Sequence, residues 1–517
     1  MMPIEFENPI LPGFYPDPST CRVGDDFYLI NSSFEFFPGV PLFHSRNLVQ
    51  WAQIGNCLDR PSQLPLQNAG ISDGIYAPTL RHHNGCFYMI TSNRCAGIGN
   101  HFFVTAHAAE APWSEPVWIK NPDGTIPGGV DPSLFFDEDG RVYFSCVAWD
   151  DKGQGIGQAE INLDTGRLHA PLKIIWHGTG ATFPEGPHTY RIHNLYYLMI
   201  AEGGTEFGHK VTIARSCCID GPYEAYPHNP ILTQMHQQTQ TLALQGLGHG
   251  DLLEDAHGAW WLIVHGFRTS IGKLHHLGRE TVLAPVTWTA DFWPIVNENG
   301  WLPQTLCITP PAPLVAPPPA EDVQLCGQQP PLHFCYLRNP DLRRYQQTAT
   351  GLVLYGSSET LNGLGSPTWL GRRQQHFCCD AQVTLLFTPQ ENEEAGLTIY
   401  QTAEHHYEAV VCNKNNRRCV LLRKTVGDIC VETKPFPVQD GPLLLTIRAN
   451  AALYTFLCQD YAQQHEITLG TGRTQLLSTE AMQYQNFTGA FFAIYTISNR
   501  NAPSPAEFSS FGYFPLV

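Results

Sequence analysis

The stretch Val23-Gly24-Asp25-Asp26-Phe27-Tyr28-Leu29-Ile30 reads as a polar turn feeding a β-strand, and the same pattern returns four times further along the chain. Phe87-Tyr88-Met89-Ile90, Val142-Tyr143-Phe144-Ser145, Tyr196-Tyr197-Leu198-Met199 and Trp260-Trp261-Leu262-Ile263 are runs of aromatic, β-branched and other apolar residues. Each is entered through a turn such as His82-His83-Asn84-Gly85 or Asp137-Glu138-Asp139-Gly140. The runs start 60, 55, 54 and 64 residues apart, room for about four short strands per unit. Five such units predict a five-bladed β-propeller, where radial repetition leaves only short edges. Trp51, Trp113 and Tyr223 follow three of the runs in turn segments and read as plugs packed between blades.

Outside this repeat the composition agrees. A chain of 517 residues exceeds one ordinary domain. With 43% apolar and 15% charged residues it is not a disordered chain, and 45 Gly and 41 Pro supply many turns. The net charge of −17 opposes a phosphate-binding surface, which argues against nucleic acid as a partner. No apolar run is long enough to span a bilayer, and the opening Met1-Met2-Pro3-Ile4-Glu5 has no export signal, so no membrane partner and a cytoplasmic location are expected. The 16 cysteines are scattered, include the adjacent pairs Cys217–Cys218 and Cys378–Cys379, and read as free thiols. The repeat is assigned to residues 1–308. A Pro-rich linker is placed at 309–331, where Pro310, Pro311, Pro313, Pro317, Pro318, Pro319, Pro330 and Pro331 oppose ladder pairing. Residues 332–517 carry strand-like runs such as Cys379–Phe387, Tyr407–Val411 and Leu443–Arg448 and are expected to form a β-sandwich.

Counting back ten or eleven positions from each hairpin run reaches Asp17, Tyr76, Asp131, Glu185 and His249, residues expected on the innermost strands beside the central channel. Three of the five are acids flanked by proline, as in Pro16-Asp17-Pro18, Asp131-Pro132 and Pro184-Glu185-Gly186-Pro187. Three acids converging in a polar channel suit glycoside hydrolysis, in which one ionised carboxylate activates water and one protonated carboxyl donates to the leaving oxygen. A third acid can push the pair's pKa values apart. The alternative use of the same oxygens is a divalent cation with His249 as an added ligand.

Six ordered segments resemble glycoside hydrolase family 43, in the branch of two-domain β-xylosidases and α-L-arabinofuranosidases: Asn8–Ser19, Ser33–Val40, Asp131–Leu134, Pro184–Pro187, Gly246–Asp251 and Leu277–Thr281. The resemblance implies Asp17 as general base, Glu185 as general acid and Asp131 as the modulator of the acid's pKa. It further implies Arg279 as a sugar-binding fork and His249 as a channel residue holding a water or a calcium ion, with no cofactor needed for the chemistry. Tyr76 stands where many xylosidase relatives carry Trp. Tyr76 and Phe34 are candidate pocket walls, as is Phe37, and Asp73 has no counterpart. Phe491–Tyr495 with the following Asn499–Ser504 resembles the strand and loop by which relatives close the pocket mouth. The expected activity is exo-acting, inverting release of terminal β-D-xylosyl or α-L-arabinofuranosyl residues from oligosaccharides by a homodimer or homotetramer. The alternatives weighed are a non-catalytic carbohydrate-binding propeller and action on another furanoside such as galactofuranoside.

Overall fold

The computed structural model describes residues 3–516 apart from 68, 96–99, 237–243, 316–320, 328, 462–464 and 483. It is all-β, and each hairpin run of the sequence repeat is the second strand of one antiparallel sheet. Those strands are Asp26–Ile30, Cys86–Ser92, Val142–Asp150, Leu195–Glu202 and Trp260–Arg268. The strands preceding them are Ser19–Val23, Thr79–His83, Ser133–Phe136, Glu185–Ile192 and Leu244–Glu254. These five touch one another in sequence, and the last touches the first, so the sheets close into a five-bladed propeller. Closure is secured by the N-terminal segment. Ile4–Glu7 pairs with Thr305–Ile308, and the Asn8 amide exchanges two hydrogen bonds with the backbone of Leu283 in the last blade.

The C-terminal region is a sandwich of an eight-stranded and a nine-stranded sheet. The runs read as strands lie in Cys379–Leu386, His405–Lys414 and Leu443–Ala449, whose alternate residues pack one continuous apolar core. Within the stretch read as linker, Glu321–Gln324, a proline-free segment, pairs with Ser510–Tyr513 as a sandwich strand. Pro317, Pro318 and Pro319 lie outside the described residues.

The propeller and sandwich share structure. Phe36–Phe37, from a propeller loop, is the end strand of the nine-stranded sheet and pairs with Tyr336–Leu337. Phe14 and Phe36 pack with Trp369 and Phe491 in one buried cluster, the Phe36 and Phe491 rings stacking at 4.2 Å. Buried Arg338 donates to the carbonyls of Ala69 and Gly365, while its backbone N–H donates to Glu35. These contacts hold the sandwich over the end of the channel at which Asp17, Asp131 and Glu185 emerge.

Candidate active site

Asp17 and Asp131 stand two residues ahead of their inner strands, and Tyr76 three ahead, rather than on them. The reason is local. Pro18 and Pro132 cannot donate to a ladder, and a residue before proline is kept out of the right-handed helical region. Both acids adopt left-handed backbone, with φ of 51° and 56°. Glu185 opens its own strand, followed by Gly186 at φ 58° and a slip in register before His188. His249 lies inside its strand at a bulge, with φ 47°, and Phe34 has the same φ on the facing loop. A non-glycine residue held there costs on the order of 1–3 kcal/mol. With Phe183, at φ 55°, five such residues surround one cavity and mark where the fold spends stability on placing side chains.

The cavity has a volume of about 190 Å³ and brings Asp17, Asp131, Glu185, Arg279, Tyr76 and Phe34 together, with His249 also on its wall. Arg279 Nη1 donates to Asp17 Oδ1 at 2.7 Å and to Thr205 Oγ1 at 3.1 Å. Ser32 Oγ donates to Asp17 Oδ2 at 2.6 Å. Asp131 Oδ2 accepts from the backbone N–H of Gly186 at 3.1 Å, which ties the middle acid to the strand carrying Glu185. His265 Nδ1 accepts from the backbone N–H of Asp17 at 3.1 Å and lies 3.0 Å from Asp17 Oδ1, whereas His249 Nδ1 is 3.9 Å from that oxygen.

This environment splits the acids. Burial pushes the Asp17 carboxyl up, but Arg279 and the adjacent His265 and His249 rings together hold it well below the usual carboxylate range. Glu185 has no such partners. Burial raises it, the charges of Asp131 and Asp17 raise it further, and Arg279 offsets only part, leaving it well above the ordinary value. Asp131 is raised by burial, with His249 opposing. The site therefore favours the ionised form of Asp17 and the protonated form of Glu185.

The cavity walls are aromatic. Phe34 lies 5.1 Å from Tyr76 and stacks on Phe487 at 5.6 Å. Phe487 and Gln485 come from the sandwich, ahead of the late strand Phe491–Ser498; Asn499–Ser504 does not reach the cavity. Phe487 is set by Ser72, whose hydroxyl accepts from its backbone N–H at 2.9 Å and donates to Asn486 at 3.2 Å. Asp73 points elsewhere and accepts from Gly70 N–H to close a turn. Phe37 is buried in the first two blades. Reading the sequence alone missed Phe487, Thr205, His209 and His265. A signal for His209 was present in Gly246-Leu247-Gly248-His249-Gly250, where a Cβ at Gly248 would stand 2.4 Å from its ring.

A calcium ion at His249 does not fit these donors. Asp17 is engaged by Arg279, Ser32 and His265. Deeper in the channel Asp251 accepts from Ser19, Tyr190 and Arg81, and Arg81 Nη2 is also 2.9 Å from His188 Nδ1. A guanidinium thus already neutralises the buried channel carboxylate, whereas calcium takes six to eight oxygens. Among the described residues no three His, Cys, Asp or Glu side chains are grouped to hold a metal.

An aromatic-walled chamber whose carboxyls are pushed toward opposite protonation is the equipment of a glycoside hydrolase. Residues 6–294 match the model of glycosyl hydrolases family 43, and residues 327–514 match the beta xylosidase C-terminal concanavalin A-like domain. The chain belongs to family 43. It is 40% identical, over 98% of its length and 94% of the relative's, to a non-reducing end alpha-L-arabinofuranosidase of Bacteroides ovatus. It is 35% identical to a xylosidase/arabinosidase of Butyrivibrio fibrisolvens, over 98% of each chain. The solved structure of a xylan beta-1,4-xylosidase from Bacillus halodurans superposes with a TM-score of 0.92 at 34% identity, covering 98% of this chain and 99% of that one.

Proposed function

We propose that the protein is an exo-acting, inverting pentosidase that removes terminal β-D-xylosyl or α-L-arabinofuranosyl residues from short oligosaccharides. The observation that carries this reading is the chamber of about 190 Å³ beneath Phe487. Ordinary ligand pockets measure roughly 300–1,000 Å³, so this one suits a single terminal ring. The Bacteroides and Butyrivibrio relatives, a non-reducing end alpha-L-arabinofuranosidase and a xylosidase/arabinosidase, support the same sugars.

In this reading Asp17 is the general base. It takes a proton from water as the water oxygen attacks the anomeric carbon. The glycosidic C–O bond breaks on the opposite face, and Glu185 gives its proton to the leaving oxygen, so no glycosyl-enzyme intermediate forms. Asp131 is the modulator, acting through its charge on Glu185 and its bond to Gly186. Arg279, Tyr76, Phe34 and His249 hold the sugar, the Arg279 fork turning part of its bonding from Asp17 and Thr205 to ring hydroxyls. Hydrolysis of p-nitrophenyl β-D-xylopyranoside, α-L-arabinofuranoside and galactofuranoside side by side tests the substrate class. Preference for the galactofuranoside would refute the pentose reading.

The chemistry is assigned to carboxylates alone. Exhaustive chelation is therefore expected to leave kcat and KM unchanged, and a rate restored specifically by added calcium would refute the assignment. Asp131→Asn is expected to move the alkaline limb of the pH–rate profile downward. The Asp131 charge raises Glu185, so its removal lets Glu185 lose its proton at lower pH. An alkaline limb that stays or rises contradicts the modulator role. Assembly as a homodimer or homotetramer rests on the family resemblance and is tested by sedimentation. A cytoplasmic location is supported by the 16 cysteines, all free.

A further inference from the structure

Behind the cavity wall lies a second histidine whose placement the mechanism so far leaves unused. His209 is fully buried. Its Nδ1 sits 3.2 Å from the carbonyl oxygen of Gly246 and 3.2 Å from His265 Nε2. Its Nε2 has no hydrogen-bond partner among the described residues and faces Glu185 Oε1 at 4.0 Å. A buried polar atom left unpaired costs about 1–3 kcal/mol, so the position calls for a reason.

The backbone has been shaped to admit this ring. A Cβ at Gly248 would stand 2.4 Å from His209 Cε1 and Nδ1, so only glycine fits beside it. The strand Leu244–Glu254 slips register on both sides of Gly248, opening the ladder at that point. The tautomer follows from the partners. The Gly246 carbonyl can only accept, and His265, whose Nδ1 accepts from the backbone N–H of Asp17, sends its Nε2 hydrogen to Thr205 Oγ1 at 3.2 Å, which leaves the His209 hydrogen on Nδ1. Burial, with His265, His249 and Arg279 adding to it, pushes the ring's pKa well below the ordinary value, so it is neutral. Nε2 is then a bare acceptor aimed at the carboxyl that burial, with Asp131 and Asp17 adding to it, biases toward its protonated form against the pull of Arg279. A hydrogen bond to the neutral form of a carboxyl disfavours its ionisation.

We propose that His209 is a positioning residue for the general acid, its Nε2 accepting the Glu185 proton in the resting site and holding the carboxyl neutral until the leaving oxygen replaces it. A rotation of the Glu185 carboxyl closes the 4.0 Å gap, in keeping with catalytic hydrogen bonds that run long in the free enzyme. The inference rests on the reading of Glu185 as the acid.

The test compares His209→Phe, which keeps a ring and loses the acceptor, with Gly248→Ala, which displaces the His209 ring while removing no titrating group. Both are expected to lower the alkaline limb of kcat/KM by about 0.5–1 pH unit, the size of one hydrogen bond. Both should slow a methyl pentoside or a disaccharide about five- to tenfold more than the p-nitrophenyl pentoside, because only the poor leaving group needs the proton. Equal losses on every substrate with an unmoved alkaline limb in either folded variant would overturn the proposal. If neither variant folds, ¹⁵N-histidine NMR of the intact protein decides. A buried histidine with an acceptor-type Nε2 that shifts across the alkaline limb supports the proposal, and none doing so overturns it. Glu185→Gln run in parallel separates the two readings. If it keeps the wild-type leaving-group dependence, Glu185 is not the acid. If it behaves as an acid variant while the His209 and Gly248 variants do not, only the His209 role fails.

Discussion

Glu185→Gln is expected to hydrolyse natural disaccharides on the order of 10³–10⁴-fold more slowly than the parent, while an aryl glycoside with a good leaving group loses far less. The asymmetry follows from the site. Burial favours the protonated form of Glu185, the charges of Asp131 and Asp17 add to it, and Arg279 offsets only part. Removing that proton leaves the departing sugar oxygen to leave as an alkoxide, which a nitrophenolate does not have to do. Asp17→Asn should give a loss of similar size on every substrate, because the base is needed whatever leaves. Azide should not rescue it as a glycosyl azide of retained configuration. Stopped assays on a series of aryl pentosides check both; a Glu185→Gln loss independent of leaving-group pKa would contradict the assignment.

The second large effect is structural. A chain ending at Thr309 is expected to be insoluble or inactive. It loses Phe487 and Gln485 from the cavity wall and uncovers Phe14, Phe34 and Phe36, all essentially buried in the intact protein. Each buried Phe contributes about 1.5–3 kcal/mol, so three together approach the total stability of an ordinary domain, about 5–15 kcal/mol. The strand Phe36–Phe37 would also lose its ladder with Tyr336–Leu337. Expression followed by thermal melting and assay checks this, and a soluble, fully active 1–309 fragment would contradict it.

How much of this was legible beforehand depended on range. The propeller was readable because each blade repeats a local signal, a polar turn into an aromatic strand. The three acids were readable because proline flanks them in a recurring register. That same proline places Asp17 and Asp131 just outside the strands on which counting alone had put them. What was hidden is non-local. Ser72 grips Phe487 from 415 residues away, and Asp17 pairs with Arg279 across 262 residues. Phe36–Phe37 looked like a propeller loop with candidate pocket walls, yet it completes a sheet of the sandwich, because an exposed sheet edge was there to be paired. His209 and His265 carry no signal of their own. The seat of His209 is written in Gly248, which a reading focused on His249 passed over.

The central claim is a single displacement run by an ionised Asp17 and a protonated Glu185. Proton NMR of the first turnovers on an aryl β-D-xyloside or α-L-arabinofuranoside, recorded before mutarotation, tests it most directly. The account predicts that the sugar first appears as the anomer opposite to the substrate; initial release of the retained anomer would contradict it.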